Sequence, residues 1–165
     1  MDTPTSSLTP QLNQPESVAE SSYLRFQLNK DTSAVLPMKY VQEVFMISTG
    51  QITPIPNMPE CVLGLLNRRN RILWAVDLAL MLTLQPIDTS SQQYHVMIIR
   101  VGETPLSLLV REVKGVTRLT SVHPIDGENN AIGLSYLCGY LWYHQQQLFV
   151  LDAEAIIHSP SLYSY

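Results

Sequence analysis

The sequence predicts an all-β domain with a few short helices, built from two copies of one small barrel unit. Three observations carry that reading. Short segments of period-two hydrophobicity recur along the chain, separated by turn residues at the spacing of barrels and sandwiches. Helical stretches are few and brief. A weak internal repeat runs through the chain at an offset of 75, pairing Gly64 with Gly139, Leu66 with Leu141, Leu73 with Leu148, Trp74 with Phe149 and Asp77 with Asp152. Val41 and Val44 match Val113 and Val116 at an offset of 72.

The elements follow in order. Residues 1–22 hold Pro4, Pro10 and Pro15, five serines and no aromatic residue. Such a segment lacks the apolar area to offset its ordering entropy and is read as a disordered leader. From Tyr23, Leu24, Phe26 and Leu28 alternate with Arg25 and Gln27, as in a half-buried strand. A second strand is expected over 40–47, with Glu43 intruding among Val41, Phe45 and Ile47. Pro54, Pro56 and Pro59 make 50–59 a loop. A hairpin follows, 63–67 and 71–76, with Arg68–Asn70 at its tip. Further strands fit 95–101, 106–111, 113–119, 136–143 and 148–151, and Gly102-Glu103-Thr104-Pro105 and the residues near 145–147 supply turns. Asp77 and Asp152 precede short apolar runs as helix N-caps. Trp74 and Phe149, as repeat partners, are expected in the two barrel interiors.

Composition narrows the function. The chain of 165 residues carries 14 acidic and 10 basic residues, a net charge of −4, and only 15% charged residues against roughly 25% ordinarily. A sequence-independent nucleic-acid binder needs a basic face to displace counterions, so that class is disfavoured. The 45% hydrophobic content supplies a core and leaves apolar surface for partners. Cys61 and Cys138 lie far apart with no metal-ligand spacing and are expected as two buried free thiols. The first 22 residues contain no Lys or Arg, and the most apolar run, 72–82, is interrupted by Asp77 and falls short of the ~20 residues of a spanning helix. A soluble cytoplasmic protein without membrane insertion is expected.

Catalytic signatures are not found: no nucleophile elbow, zinc-protease motif, phosphate loop or dinucleotide fingerprint. His95, His123, His144 and His158 are scattered, and His95 and His144 fall near strand ends, where a solvated or hydrogen-bonded imidazole is the ordinary role. Asp126–Asn130 lacks the alternating acids of a calcium loop and reads as a polar turn. The unusual feature is the cluster Arg68, Arg69 and Arg71 beside Asn67 and Asn70. It can be a solvated turn, or a fork of guanidinium groups that recognises carboxylates at an interface. A barrel that binds a small ligand or second messenger through the same tip is the alternative.

These residues resemble a family. Tyr23-Leu24-Arg25-Phe26-Gln27-Leu28 with Val41-Gln42-Glu43-Val44 looks like the opening of CheW, the chemotaxis coupling protein. Gly64-Leu65-Leu66-Asn67-Arg68-Arg69, Ile72-Leu73-Trp74-Ala75-Val76-Asp77-Leu78, Leu137-Cys138-Gly139 and Leu148-Phe149-Val150-Leu151-Asp152 match its later motifs in order. The resemblance spans about 22–158. It implies two intertwined five-stranded SH3-like barrels sharing a core, with a CheW-like domain at 23–158, lobes at about 23–86 and 92–158, and a short tail at 159–165. It also implies a non-catalytic adaptor, without cofactor or metal, joining the cytoplasmic tip of a methyl-accepting receptor to the regulatory domain of a CheA-like histidine kinase. Val41, Glu43, Gly64 and Arg69 fall where the family contacts receptors or depends on that surface. Asn67 and Asp77 match motif positions of structural character. Asn70 stands where the family usually has glycine, Trp74 where it usually has proline, and Arg68 and Arg71 replace apolar positions. Arg68 and Arg71 are therefore added to the expected partner surface, as in a divergent adaptor similar to those of pilus-motility and phototaxis systems.

Overall fold

A computed structural model describes residues 20–83, 85–87, 92–124 and 133–163. Most of the leader and the Asp126–Asn130 turn lie outside the described residues. The chain forms β1 (Ser21–Asn29), β2 (Thr32–Pro37), β3 (Val41–Ser48), β4 (Ile52–Thr53), β5 (Val62–Arg68), β6 (Arg71–Asp77), α1 (Leu78–Thr83), β7 (Gln93–Val101), β8 (Thr104–Val110), β9 (Glu112–Leu119), β10 (Leu137–Tyr143), β11 (Gln146–Leu151) and α2 (Ala153–Ile157). The strands make two sheets, each curled into a half-barrel, in the orders β10-β11-β2-β1-β9 and β3-β7-β8-β6-β5-β4.

That order shows how the two halves are interlaced. Each repeat contributes a leading hairpin to the other's sheet. The β1–β2 hairpin lies between β9 and β11, and the β7–β8 hairpin lies between β3 and β6. Two parallel pairings join them, β6 with β8 (Ala75↔Ser107) and β2 with β11 (Ala34↔Phe149). A boundary between 86 and 92 therefore separates the repeats but not the sheets.

Burial follows the pleat. Leu24, Phe26 and Leu28 of β1 face a core that also takes Ala34 and Leu36 from their own sheet and Val76, Val96 and Leu108 from the other. A smaller cluster of Tyr23, Val35, Leu119, Leu141, Leu148 and Val150 fills the second barrel. Strand β2 thus feeds both clusters, and its first five residues are all buried. A strand buried on both faces carries no polar alternation, which is why period two did not mark it.

The repeat extends to backbone detail. Arg69 and Asn70 both have positive φ (53° and 63°), as do His144 and Gln145 (49° and 66°), at the same offset of 75. Both pairs close two-residue hairpins, the geometry whose twist matches that of the strands. Gly64 and Gly139 sit at equivalent bulges, and each lies against a backbone carbonyl, that of Thr53 or His123. Asp77 Oδ1 accepts from the Leu80 amide at 3.0 Å and Asp152 Oδ1 from the Ala155 amide at 3.2 Å, so both aspartates cap the following helix.

Several expectations are corrected. Trp74 points outward and is 41% exposed, because the phase of β6 turns Leu73 and Ala75 inward; Phe149 is buried as expected. Cys61 is buried, but Cys138 is exposed; both are free. The first strand begins at Ser21, two residues before Tyr23, paired through Ser21↔Leu119 and Ser22↔Arg118. Of the expected short tail, residues 159–163 are described and pack on the domain. Ser159 is 1% exposed with its Oγ 2.6 Å from the Tyr136 hydroxyl, and the Ser161 carbonyl accepts from Cys61 Sγ.

Candidate functional site

The six-stranded sheet curls until its edge strand β3 comes opposite the end of β5, and a charged network bridges the gap. Register fixes Glu43 beside Ile98, after a bulge between Val41 and Glu43 that re-aims the side chain. Glu43 Oε2 accepts from Arg68 Nε at 3.0 Å, with Arg68 Nη2 against the same oxygen, and from Arg69 Nε at 3.3 Å. The Arg68 guanidinium also lies over the Phe45 ring, 3.9 Å from its centroid. A planar cation between a carboxylate and an aromatic face is held in both directions.

Exposure separates the two arginines. The Glu43 side chain is 21% exposed, Arg68 32% and Arg69 74%. Hydrogen bonding from Arg68 lowers the Glu43 carboxyl below its ordinary value, against the opposing pull of desolvation, with the charges of Arg68 and Arg69 helping. Glu43 is therefore ionised at neutral pH. Arg68, an addition to the family pattern, is its main partner, and Arg69, bonded to the same carboxylate at 3.3 Å, stays mostly exposed.

The six residues expected at a partner surface divide. Glu43, Arg68 and Arg69 are brought together. Arg71 is cross-strand from Arg68, exposed beside the turn at the tip of the same hairpin. Val41 is half-buried against the core at the start of β3. Gly64 is buried, with the Thr53 carbonyl where a Cβ would stand. That close backbone approach, at φ 148°, requires glycine at this position. Among the motif positions of structural character, Asp77 is buried, and its Oδ2 also accepts from the Ile87 amide at 2.9 Å. His95 is likewise structural, its Nδ1 accepting from the Val113 amide at 3.1 Å.

Sequence reasoning passed over the apolar side chains around the network. Val44 and Met46 point outward from β3 at 41% and 52% exposure, and Ile72 from β6 at 62%. The signal was available, since Gln42, Val44, Met46 and Ser48 are the phase of β3 opposite to its core-facing residues. Beyond Ile72, Trp74 forms one wall of an apolar cleft of about 260 Å³ with Met58, Pro105, Leu106, Leu162 and Tyr163. Among the described residues no group of three or more His, Cys, Asp or Glu side chains is placed to hold a metal ion.

Guanidinium groups poised over a carboxylate, with exposed aliphatic side chains nearby, have the composition of protein-contact surfaces, here on a two-sheet β domain. The comparisons name that class. The chain belongs to the CheW-like domain family, whose pattern matches residues 22–161. Its structure superimposes on the crystal structure of the scaffolding protein TtCheW from Thermoanaerobacter tengcongensis with a TM-score of 0.74 at 19% identity, covering 86% of this chain and 95% of that one. The SH3-like barrel architecture is shared. Comparison with curated proteins finds no match. Among the described residues no helix is long and apolar enough to cross a membrane.

Proposed function

We propose that this protein is a non-catalytic cytoplasmic adaptor that couples a chemotaxis-type receptor to the regulatory domain of a CheA-like histidine kinase. The observation that carries the reading is the Glu43–Arg68–Arg69 network, in which Glu43 and Arg69 stand at the family's motif positions and Arg68 is an addition, flanked by exposed Val44 and Met46. Membership of a family that includes a scaffolding protein supports it. The kinase regulatory domain of this family is itself CheW-like, so barrel-to-barrel contact is the expected mode of association. The departures at Arg68, Asn70, Arg71 and Trp74 favour a divergent system such as pilus motility or phototaxis.

The test is co-purification of the full chain with a receptor cytoplasmic fragment and with the kinase regulatory domain. Arg69→Ala should weaken receptor binding about thirtyfold, the effect of losing a hot spot of about 2 kcal/mol, and leave kinase binding in place. A chain that captures neither partner, or an Arg69→Ala variant that binds receptor as wild type does, overturns the reading.

A further inference from the structure

Strand register gathers positive charge at one end of the six-stranded sheet. Val41↔Ile99 pairing puts Lys39, in the turn before β3, beside Arg100 at the end of β7. The β7–β8 hairpin turns there through Gly102 and Glu103. Because β6 runs parallel to β8 in the register Ala75↔Ser107, its first residue, Arg71, lies at that end too, cross-strand from Arg68. Lys39, Arg68, Arg69, Arg71 and Arg100 are five of the ten basic residues of the whole chain. Against them the described residues at that end set only Glu43 and Glu103, a surplus of three positive charges on a protein of net charge −4. Glu43 is taken up by Arg68 and Arg69, and Glu103 by Arg100 at 3.3 Å. Among the described residues Arg71 has no carboxylate within ion-pair distance.

The fold does not require this. The corresponding end of the five-stranded sheet mixes Lys30, Arg111 and Lys114 with Asp31 and Glu112, and Lys114 pairs with Glu112 at 3.1 Å. Like charges directly opposite each other on adjacent strands, as Arg68 and Arg71 are, destabilise a sheet. Such an arrangement is compensated when an anionic partner covers it. The cations are spread along the sheet end instead of converging on one pocket, and exposed Ile72 and half-buried Tyr40 stand among them. A single phosphate could engage only part of that surface. A polypeptide with carboxylates on one side and aliphatic groups on the other matches its length and its mixture.

We infer that this end of the sheet docks an acidic, amphipathic polypeptide segment, with Arg71 and Arg100 as contacts beyond the family's motif positions. The inference rests on the coupling role and assigns its partner a charge. The probe is a synthetic Glu/Leu amphipathic peptide titrated into the full chain by NMR, with a Gln/Leu peptide and inorganic phosphate as comparisons. The expected result is shifts confined to residues 39–43, 68–72 and 100–104, affinity falling steeply with salt, and about tenfold weaker binding to Arg71→Glu and to Arg100→Glu. Arg118→Glu, on the other sheet, should bind as wild type does, and Arg71→Gln should show an intermediate loss should either reversal unfold the chain. Shifts elsewhere, indifference to charge reversal, or saturation of the same residues by phosphate at lower concentration than by peptide would overturn the inference. If the chain co-purifies with receptor and kinase yet ignores the acidic peptide, the charge assignment fails and coupling stands. If it binds the peptide and neither partner, the acidic docking surface stands and the coupling reading fails.

Discussion

Replacing Gly64 with alanine tests whether this motif glycine serves architecture or contact. A Cβ at Gly64 would press into the Thr53 carbonyl, and it would do so from a backbone at φ 148° that L side chains rarely adopt. The backbone strain costs about 1–2 kcal/mol. Relief of the clash means pushing β4 away, which breaks the Ile52↔Leu66 and Thr53↔Leu65 pairing at about 1 kcal/mol for each hydrogen bond lost. The total is about 3 kcal/mol, or a melting temperature about 6–12 °C lower at ~2–4 °C per kcal/mol for a domain of this size. Thermal unfolding of the full chain measures it, with Gly50→Ala as the control, since nothing lies within 4 Å of a Cβ there. Gly139→Ala should fall between the two, meeting the His123 carbonyl without the unfavourable φ. A Gly64→Ala variant as stable as Gly50→Ala, yet impaired in binding, would refute the argument and return Gly64 to the partner surface.

Other expected outcomes follow from the same geometry. Phe149→Ala should cost about 3–5 kcal/mol in chemical denaturation, and Trp74→Ala clearly less, because Trp74 is 41% exposed; equal losses would contradict the phase assigned to β6. Arg68→Ala should destabilise by about 1 kcal/mol, a charge-assisted bond discounted for partial exposure, whereas Arg69→Ala should stay within about 0.5 kcal/mol; the reverse ranking would mean that Arg69 holds Glu43. Burial raises the Asp77 carboxyl above its ordinary 3.8, with the amides of Ile87, Leu80 and Ala79 pulling the other way. The folded state therefore binds that proton more tightly than the unfolded chain, and this contribution to stability declines as pH rises from 3.8 through the folded-state value. Asp77→Asn, which does not ionise, should lack that decline in unfolding measured from acid to neutral pH, and an unchanged slope would place its origin elsewhere.

Legibility in the sequence tracked local physics. Alternation marked β1 because Leu24, Phe26 and Leu28 face the core while Arg25 and Gln27 meet polar surroundings. The caps at Asp77 and Asp152 were readable because a short polar side chain before an apolar run has one common use. Strand β2 was lost because both its faces are buried, and β4 because two residues carry no period. The outward turn of Trp74 was misjudged by trusting its repeat partner Phe149 over the phase of Leu73 and Ala75. At the site, the arginine cluster was visible but its pairing was not. Glu43 and Arg68 are 25 positions apart, and only the curl of the sheet brings β3 opposite β5.

The exchange of hairpins also sets a schedule for synthesis. When the ribosome has released β1 and β2, the strands that will flank them, β9 and β11, have not been made. Strand β2 must keep its apolar faces and its free edge until Phe149 and Val150 emerge, more than a hundred residues later. Pairings between such distant stretches close slowly, and an unpaired edge invites association with other chains. The nascent protein is thus exposed to misassembly for about two-thirds of its translation time. Chaperone engagement should therefore concentrate on nascent chains that have exposed β2 but not yet β11.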